Sequence, residues 1–388
     1  SRRRNQAFFE KPACSPPHGI TVSAGPLPNL FQKMGIICAR SAKRVVKMSR
    51  KKPIKAVALI SGGLDSILAA RLMIDQGITI LPLKVLLPYL PRERDRTGAR
   101  SRLISRLEEW AGTPLAGIDA SEEAVALLKS PEYGFGSNMN PCLDCRILML
   151  KKGAEFMRQA EADFVVTGEV VGQRGMSQRR QALEIADRES GIPGLILRPL
   201  SGRILPETIP ERQGWVERAK LLSLSGRSRQ AQLRLAESAG IEEPVNAAGG
   251  CLLTDPIFSG RLRDLCRHEG LDRMELELLK FGRHFRLSEK TKLIVGRDKE
   301  ENGLLESFAG PGDALFYTID VSGPVALGRG EFHSGLIALS GSLLAYYCRP
   351  APGSGVKISR RALQGGAETI SYCLPADEKT LEAFRIGK

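Results

Sequence analysis

Cysteine is scarce in this chain: eight residues in 388, at the irregular positions 14, 38, 142, 145, 251, 266, 348 and 373. That is too few for a disulfide framework, and it fits a reducing, cytoplasmic compartment. Aromatic residues make up only 5%, with two tryptophans, which excludes a broad stacking platform and assigns Trp110 and Trp215 to packing. No run approaches the ~18 uninterrupted apolar residues of a spanning helix, because the best stretch, Gly335 to Tyr347, is short and broken by Ser and Gly. No membrane partner is expected. A compact apolar segment with a small-residue cleavage site is also missing, which argues against a secretory signal. Of the four histidines, His284 and His333 have no partner at metal spacing and read as structural.

What is present is ordinary globular composition, 42% apolar and 26% charged, in a length that suggests two or three domains at roughly 150 residues each. The net charge of +14 is concentrated at one end, since residues 1–55 hold thirteen Lys/Arg and one acid, Glu10. The rest is nearly neutral, so any nucleic-acid argument has to rest on local patches. Residues 1–50, punctuated by five prolines, read as a basic, disordered extension. It is either an arm that touches phosphate or a translated stretch upstream of a start at Met48.

The apolar run Lys55 to Ile60, the turn Ser61 to Ser66 and the helical Ile67 to Gln76 make strand, glycine turn and helix. Further strands are expected over Ile78 to Leu87, Pro114 to Asp119 and Asp163 to Gly168, with helices over Arg92 to Ala111, Glu122 to Lys129 and Arg146 to Ala160. This alternation predicts an α/β fold, a doubly wound parallel sheet spanning residues 54–200. A helical extension over 201–284 carries the third cysteine. In it, Glu211 to Gly240 is expected to be helical and gathers Arg218, Lys220, Arg227, Arg229 and Arg234, while Leu262 to Phe281 is a second helical stretch. Residues 285–388 read as a smaller α+β domain, with strands over Lys292 to Val295, Ala314 to Val321 and Gly335 to Tyr346.

Two constellations carry chemistry. Ser61-Gly62-Gly63-Leu64-Asp65-Ser66 places backbone N–H groups and a helix N-terminus at one point, which suits phosphate, and the glycines let backbone approach an anion closely. Ser61 and Ser66 can donate hydroxyls, and Asp65 can hold Mg²⁺. With no Walker lysine, the α-phosphate end of ATP is the natural ligand. The second is Asn140-Pro-Cys-Leu-Asp-Cys145 together with Cys251 in Ala247-Ala-Gly-Gly-Cys-Leu-Leu-Thr254. Three thiolates can hold three irons of a cubane, act as a redox pair plus persulfide carrier, or complete a zinc site with a histidine such as His268.

The turn resembles the SGGxDS signature of PP-loop ATP pyrophosphatases, which split ATP to AMP and pyrophosphate as a substrate oxygen is adenylated. The fold this implies is the adenine nucleotide alpha hydrolase-like sheet. The cysteine loop resembles that of tRNA 2-thiouridylases, and Thr167-Gly-Glu-Val170 resembles the turn after their central strand. Relatives without a cluster carry Asp in place of Cys142. The resemblance therefore implies a [4Fe-4S] cluster on Cys142, Cys145 and Cys251, with Asp65 and these cysteines as catalytic residues. Over residues 168–178 and around Cys251, the likeness is to a thiouridylase-like subgroup rather than to the classical enzyme. For ATP it implies Ser61, Gly62, Gly63, Asp65 and Ser66, with Gly168 and Gln173 bordering the same pocket.

Lys292 to Asn302 resembles the start of the RNA-binding domain of NFACT proteins, from which Arg297 and Lys299, together with Arg227 and Arg229 upstream, are candidate phosphate contacts. The function implied is ATP-dependent tRNA thiolation at a uridine carbonyl. Its cofactors are ATP, Mg²⁺ and the cluster. Its partners are tRNA, a sulfur donor (inorganic sulfide or a carrier) and, as one option, a second copy of the chain. Two rivals are a PP-loop enzyme that uses a nitrogen nucleophile and a non-catalytic RNA-binding factor.

Overall fold

The structure is a computed structural model that describes residues 52–90, 98–241, 251–351, 353–365 and 368–387. The basic extension, the start of the Arg-rich segment at residues 92–97 and the two glycines before Cys251 lie outside the described residues.

The first half runs β1 (Lys55–Leu59), α1 (Leu64–Ile74), β2 (Thr79–Leu86), α2 (Gly98–Ala111), β3 (Ala116–Asp119), α3 (Ser121–Lys129), α4 (Cys142–Gln159), β4 (Phe164–Thr167), α5 (Arg180–Glu189) and β5 (Ile196–Leu197). All five strands are parallel, in the order β3-β2-β1-β4-β5. Because β1 is buried on both sides, its residues are apolar without alternation. Val57 and Leu59 enter one core with Leu143, Ile147 and Leu150 of α4, while Ala56 and Ala58 enter the other with Leu64, Ile67 and Met73 of α1. The expected doubly wound sheet is what is observed. The chain moves outward from β1 through β2 and β3 and returns on its other side as β4. The gap between the carboxyl ends of β1 and β4 is thus the topological switch point, where such sheets bind ligands.

The segment that follows is more broken than its sequence pattern predicts. It contains α6 (Ile209–Arg212), α7 (Gln230–Ser238), α8 (Pro256–His268) and α9 (Arg273–Leu278), joined by single 3₁₀ turns at 202–204, 218–220 and 252–254. The helix expected from Glu211 to Gly240 is interrupted by turns at Gly214 and Gly226. Arg218, placed there in a basic cluster, instead pairs with Glu211 at 2.5 Å and donates to the carbonyls of Arg203 and Leu205.

The last part comprises β6 (Arg283–Ser288), β7 (Thr291–Val295), α10 (Lys299–Phe308), β8 (Ala314–Thr318), β9 (Ala326–Gly330), α11 (Ser334–Cys348), β10 (Val356–Ala362), β11 (Thr369–Cys373) and α12 (Glu378–Phe384). Its strands form an antiparallel sheet in the order β11-β10-β8-β9-β7-β6. The stretch expected as a strand over Gly335 to Tyr346 is α11. An apolar run of that composition has no clear period, and its fifteen residues exceed the usual strand length. Leu343, Leu344 and Ala345 of α11 pack onto one face of the sheet, and Leu305 of α10 packs onto the other. α9 ties the two halves together: Leu276 and Leu279 enter the core of the parallel sheet, and Leu278 enters that of the antiparallel one. Among the described residues, no helix is long and apolar enough to cross a membrane.

Candidate active site

At the carboxyl end of β1 the chain turns through Gly62, whose φ of 71° is strained for any side chain, and enters α1 with Gly63 as N-cap. A glycine cap leaves the helix end with no side-chain lid, which suits an anion. The Ser66 hydroxyl donates to the Gly63 carbonyl at 2.8 Å, and the Gly63 N–H donates to Ser61 Oγ at 3.3 Å, so both serines shape the turn they were expected to line. Gln173 Nε2 donates to Asp65 Oδ2 at 3.0 Å, while the buried Oδ1 of Asp65 accepts no hydrogen bond. A buried carboxylate oxygen without a partner is costly unless a ligand completes it, and a cation or a nucleotide hydroxyl would do so here. Gly168 plays a different part. A Cβ on it would stand 2.5 Å from the backbone of Asp65 and Ser66, so its lack of a side chain lets the β4 turn pack directly against the phosphate turn.

The loop after Gly168 links the two constellations. One end holds Gln173 on Asp65, while further along Met176 lies against Gly136 in the loop before the cysteines. Its base is clamped from below: Val171 N–H donates to Ser201 Oγ at 3.1 Å, and Gly226 N–H donates to the Val171 carbonyl at 2.8 Å. Arg227 is exposed on the adjoining turn near Gly175. Arg229 is the N-cap residue of α7, with a buried Nε that has no hydrogen-bond partner.

Beneath the loop sits a buried ionic group that the sequence reading passed over. Glu169, 3% exposed, meets Arg146 of α4 at 2.6 Å and Arg198 at 2.9 Å, and Arg198 forks onto Asp187. Burial pushes the Glu169 carboxyl up, but the two guanidinium groups outweigh it and hold it at about 2, against 4.5 for an ordinary glutamate. A depressed carboxylate contributes stability that is complete above about pH 4.5 and is lost as pH falls towards 2. Urea midpoints between pH 2 and 6 should therefore fall on the acid side for the wild type. Glu169→Gln should lose on the order of 3–5 kcal/mol at neutral pH, because two buried cations lose their anion, and should show a shallower acid limb. An unchanged acid limb in the variant would disprove the assignment. The signal was available, since Arg146 directly follows the CxxC and Glu169 lies in the quoted Thr-Gly-Glu turn.

The three cysteines come together at the start of α4. Cys142 is its first residue, Cys145 stands one turn on, and Cys251 arrives on a loop stitched to this one: Met139 N–H donates to the Leu253 carbonyl at 3.3 Å, and Asn138 Nδ2 to the Thr254 carbonyl at 2.9 Å. Tyr89, fully buried beyond the end of β2, donates its hydroxyl to Cys145 Sγ at 3.3 Å, and its carbonyl accepts from Leu252. This tyrosine was also missed. Its position past the carboxyl end of a parallel strand is the clue. Asp144, between the two cysteines, faces away and accepts from the backbone N–H groups of Glu132 and Tyr133. Burial, the largest cause, and then the Cys251 and Cys142 charges push the Cys145 thiol up while the Tyr89 hydrogen bond pulls it down, leaving it at about 12; burial likewise raises Cys251 to about 11.

Three thiols within electrostatic range of one another, around one tyrosine, supply the soft donors an iron–sulfur cluster needs. Among the described residues, no three His, Cys, Asp or Glu side chains close on a point as the ligands of one ion must. A cubane takes each cysteine on a separate iron and so spreads its ligands wider, and the donor set fits that. A zinc site completed by His268 does not fit. That residue ends α8, thirteen residues and ~20 Å along from the Cys251 side, and faces Asp264 at 3.8 Å. In the last domain, Arg297 closes on Glu301 and reaches the Lys280 carbonyl, while Lys299 is exposed in the first turn of α10. The structure does not bring these two beside the thiols through any hydrogen bond or ion pair it records.

Fold and site together define a PP-loop-type α/β domain with a half-buried three-thiol wall, followed by an antiparallel-sheet domain. The comparisons place each half. Residues 53–207 match the family model for thiamine biosynthesis protein (ThiI), and residues 282–385 match that for the NFACT protein RNA binding domain, so the chain joins a ThiI-type domain to an NFACT-type one. Proteins named "Probable tRNA sulfurtransferase" are similar over the first half. The one from Thermococcus kodakarensis is 28% identical over 151 residues, 38% of this chain and 37% of that one, and the one from Methanocaldococcus jannaschii is 30% identical over 150 residues, with the same coverage. The chain thus spans little more than a third of the length of these relatives. Among solved structures, a 4-thiouridine synthetase–RNA complex with bound ATP aligns with 50% of this chain and 53% of its own (19% identity, TM-score 0.32). The U34-tRNA thiolase NcsA from Methanococcus maripaludis with its [4Fe-4S] cluster aligns with 59% and 74% (16% identity, TM-score 0.28).

Proposed function

We propose that the protein is an ATP-dependent tRNA sulfurtransferase. The observation that supports this reading is the loop from Gly168 to Gln178, which reaches Asp65 through Gln173 at one end and, through Met176, the Gly136 segment ahead of the cysteines at the other. A uridine carbonyl is a poor electrophile. Attack of its oxygen on the α-phosphorus of ATP forms a C–O–P bond and releases pyrophosphate, and a sulfur nucleophile then adds at the carbon and expels AMP, its proton going to solvent. The turn from Ser61 to Ser66 would hold the phosphates, and Asp65 Oδ1 would complete the coordination of Mg²⁺. Gln173 orients that carboxylate from its other oxygen. When bound to Cys142, Cys145 and Cys251, a [4Fe-4S] cluster supplies an iron with an open position for sulfur. Tyr89 would then donate a hydrogen bond to a ligand sulfur, and the apolar wall around it keeps water away from the acceptor carbon. The sulfurtransferase names of the relatives support the substrate class.

The test supplies anaerobically prepared protein with an unmodified tRNA transcript, ATP and sulfide. Nucleoside mass spectrometry should show a thiouridine, and AMP and pyrophosphate should appear in equal amounts. AMP formed with ammonia but not with sulfide would favour the nitrogen-nucleophile rival. Tight tRNA binding without any ATP turnover would favour the non-catalytic one.

A further inference from the structure

Between α8 and the antiparallel sheet lies a cavity of about 390 Å³ that none of the chemistry above uses. Its polar lining is almost wholly cationic: Arg261, Lys280, Arg283, Arg297 and Arg385 against one carboxylate, Asp255, which is occupied in capping α8 through the Phe258 N–H at 2.8 Å. The cavity is built from fixed parts. Arg261 is anchored by donation to the carbonyls of Leu279 and Gly282 at 2.7 and 2.9 Å, and Arg283 by donation to the Gly296 carbonyl at 3.0 Å and by stacking over Tyr347 at 4.3 Å. Arg385 is held by a backbone bridge to Phe285, and Gly387 beyond it lies against Ile257.

The anchors of Arg261 and Arg283 are neutral carbonyls and a ring, so their charge is not cancelled where they meet the cavity. The remaining cations bring their own carboxylates: Arg297 meets Glu301, Lys280 meets Glu277 at 2.8 Å, and Arg385 meets Glu382 at 3.5 Å, and none of these acids lines the cavity. The crowding is felt. Burial lowers the Arg261 guanidinium to about 10, and the Arg297 charge adds to the fall; burial, then Arg297 and Arg385, also lower Arg283. The buried Nε of Arg261 has no hydrogen-bond partner. A pre-built cation cluster of this kind lacks an anion, and the anion would relieve the repulsion and take the spare donors.

We infer that this cavity is a phosphate seat for the RNA substrate, taking a backbone phosphodiester group between α8 and the NFACT-type domain. The inference rests on the tRNA reading above and adds where the RNA is gripped. The cavity also reaches the segment of the third cysteine: Leu252 lines it, and Leu252 follows Cys251 directly. A phosphate held here would anchor the RNA against Leu252, the residue after the third cysteine.

The experiment measures binding of a labelled, unmodified tRNA transcript to the full chain by fluorescence anisotropy across a salt series. Arg283→Gln and Arg385→Gln are compared with Lys379→Gln, a surface charge on α12 that does not line the cavity. Each cavity variant should weaken binding about tenfold, the cost of one charge-assisted hydrogen bond, and should reduce the slope of log K against log salt by about 0.9. The α12 variant should change affinity less than about twofold. Should Arg283→Gln lose its melting transition with the Tyr347 stack, Arg385→Gln carries the test alone. Unchanged affinity and slope in a variant, with wild type binding tRNA, overturns the phosphate seat and leaves the sulfurtransferase reading standing. Calorimetric binding of inorganic phosphate that the variants lose, with tRNA affinity intact, assigns the cavity to a small anion and overturns the inference equally. A wild-type protein that binds no tRNA at all defeats the sulfurtransferase reading itself.

Discussion

Asp65→Asn should stop AMP and pyrophosphate formation while leaving the protein folded. The two side chains are nearly the same shape, and Asn retains an oxygen that can accept from Gln173 Nε2, so that contact can survive the change. What disappears is the negative charge on the oxygen that accepts nothing within the protein. If that oxygen meets a magnesium ion on the triphosphate, its loss falls on the charge that builds as pyrophosphate leaves, where a single preorganised group is worth about 10²–10³ in rate. Loss of the ion itself takes the rate lower still. Melting temperature and tRNA binding should stay near wild type, and ATP turnover by release of radiolabelled pyrophosphate should fall to background. A variant that turns over ATP at the normal rate would remove Asp65 from the chemistry.

The second large effect concerns the thiols. Cys142→Ser, Cys145→Ser and Cys251→Ser should each lose iron and thiolation together, since a cubane left with two thiolates is poorly held. Iron and sulfide analysis after anaerobic reconstitution, with the visible absorption of the cluster, reads the first loss; nucleoside mass spectrometry reads the second. A persulfide mechanism gives another pattern, in which iron is absent throughout and Cys142 can be replaced at little cost. Burial pushes the Cys145 and Cys251 thiols up to about 12 and 11, and either role, cluster ligand or sulfur carrier, has to offset that push to obtain the thiolate, so the iron content decides between them. Full thiolation by a protein holding less than about half a cluster per chain would sink the cluster assignment.

The parts of this fold that could be read from sequence are those in which local chemistry dictates backbone. The Ser61 to Ser66 turn needs Gly62 at positive φ and a side-chain-free cap at Gly63, and that requirement is written into six adjacent letters. β1 and β4 are short apolar runs bounded by turn residues, which the parallel arrangement demands. The helix expected from Arg146 in fact starts four residues earlier, at Cys142, with Pro141 as its N-cap. What could not be read depends on partners distant in the chain. Tyr89 meets Cys145 across 56 residues, Arg198 meets Glu169 across 29, and no spacing rule announces either. Arg218 looked like surface charge because nothing local reveals that it caps carbonyls from residues 203 and 205. The error at α11 has another origin: a helix that is apolar nearly all round, although only Ser340, Gly341, Leu343, Leu344 and Ala345 are buried, lacks the 3.6-residue stripe that would distinguish it from a strand.

The setting of the thiols also governs their reactivity in the metal-free protein. Free cysteine near neutral pH is a few per cent thiolate, and the thiolate is the form that oxidants and alkylating reagents attack. With Cys145 near 12 and Cys251 near 11, that fraction drops to about one part in ten thousand or less. With no metal bound, Cys145 and Cys251 are therefore slow to take up iodoacetamide and slow to form sulfenic acid.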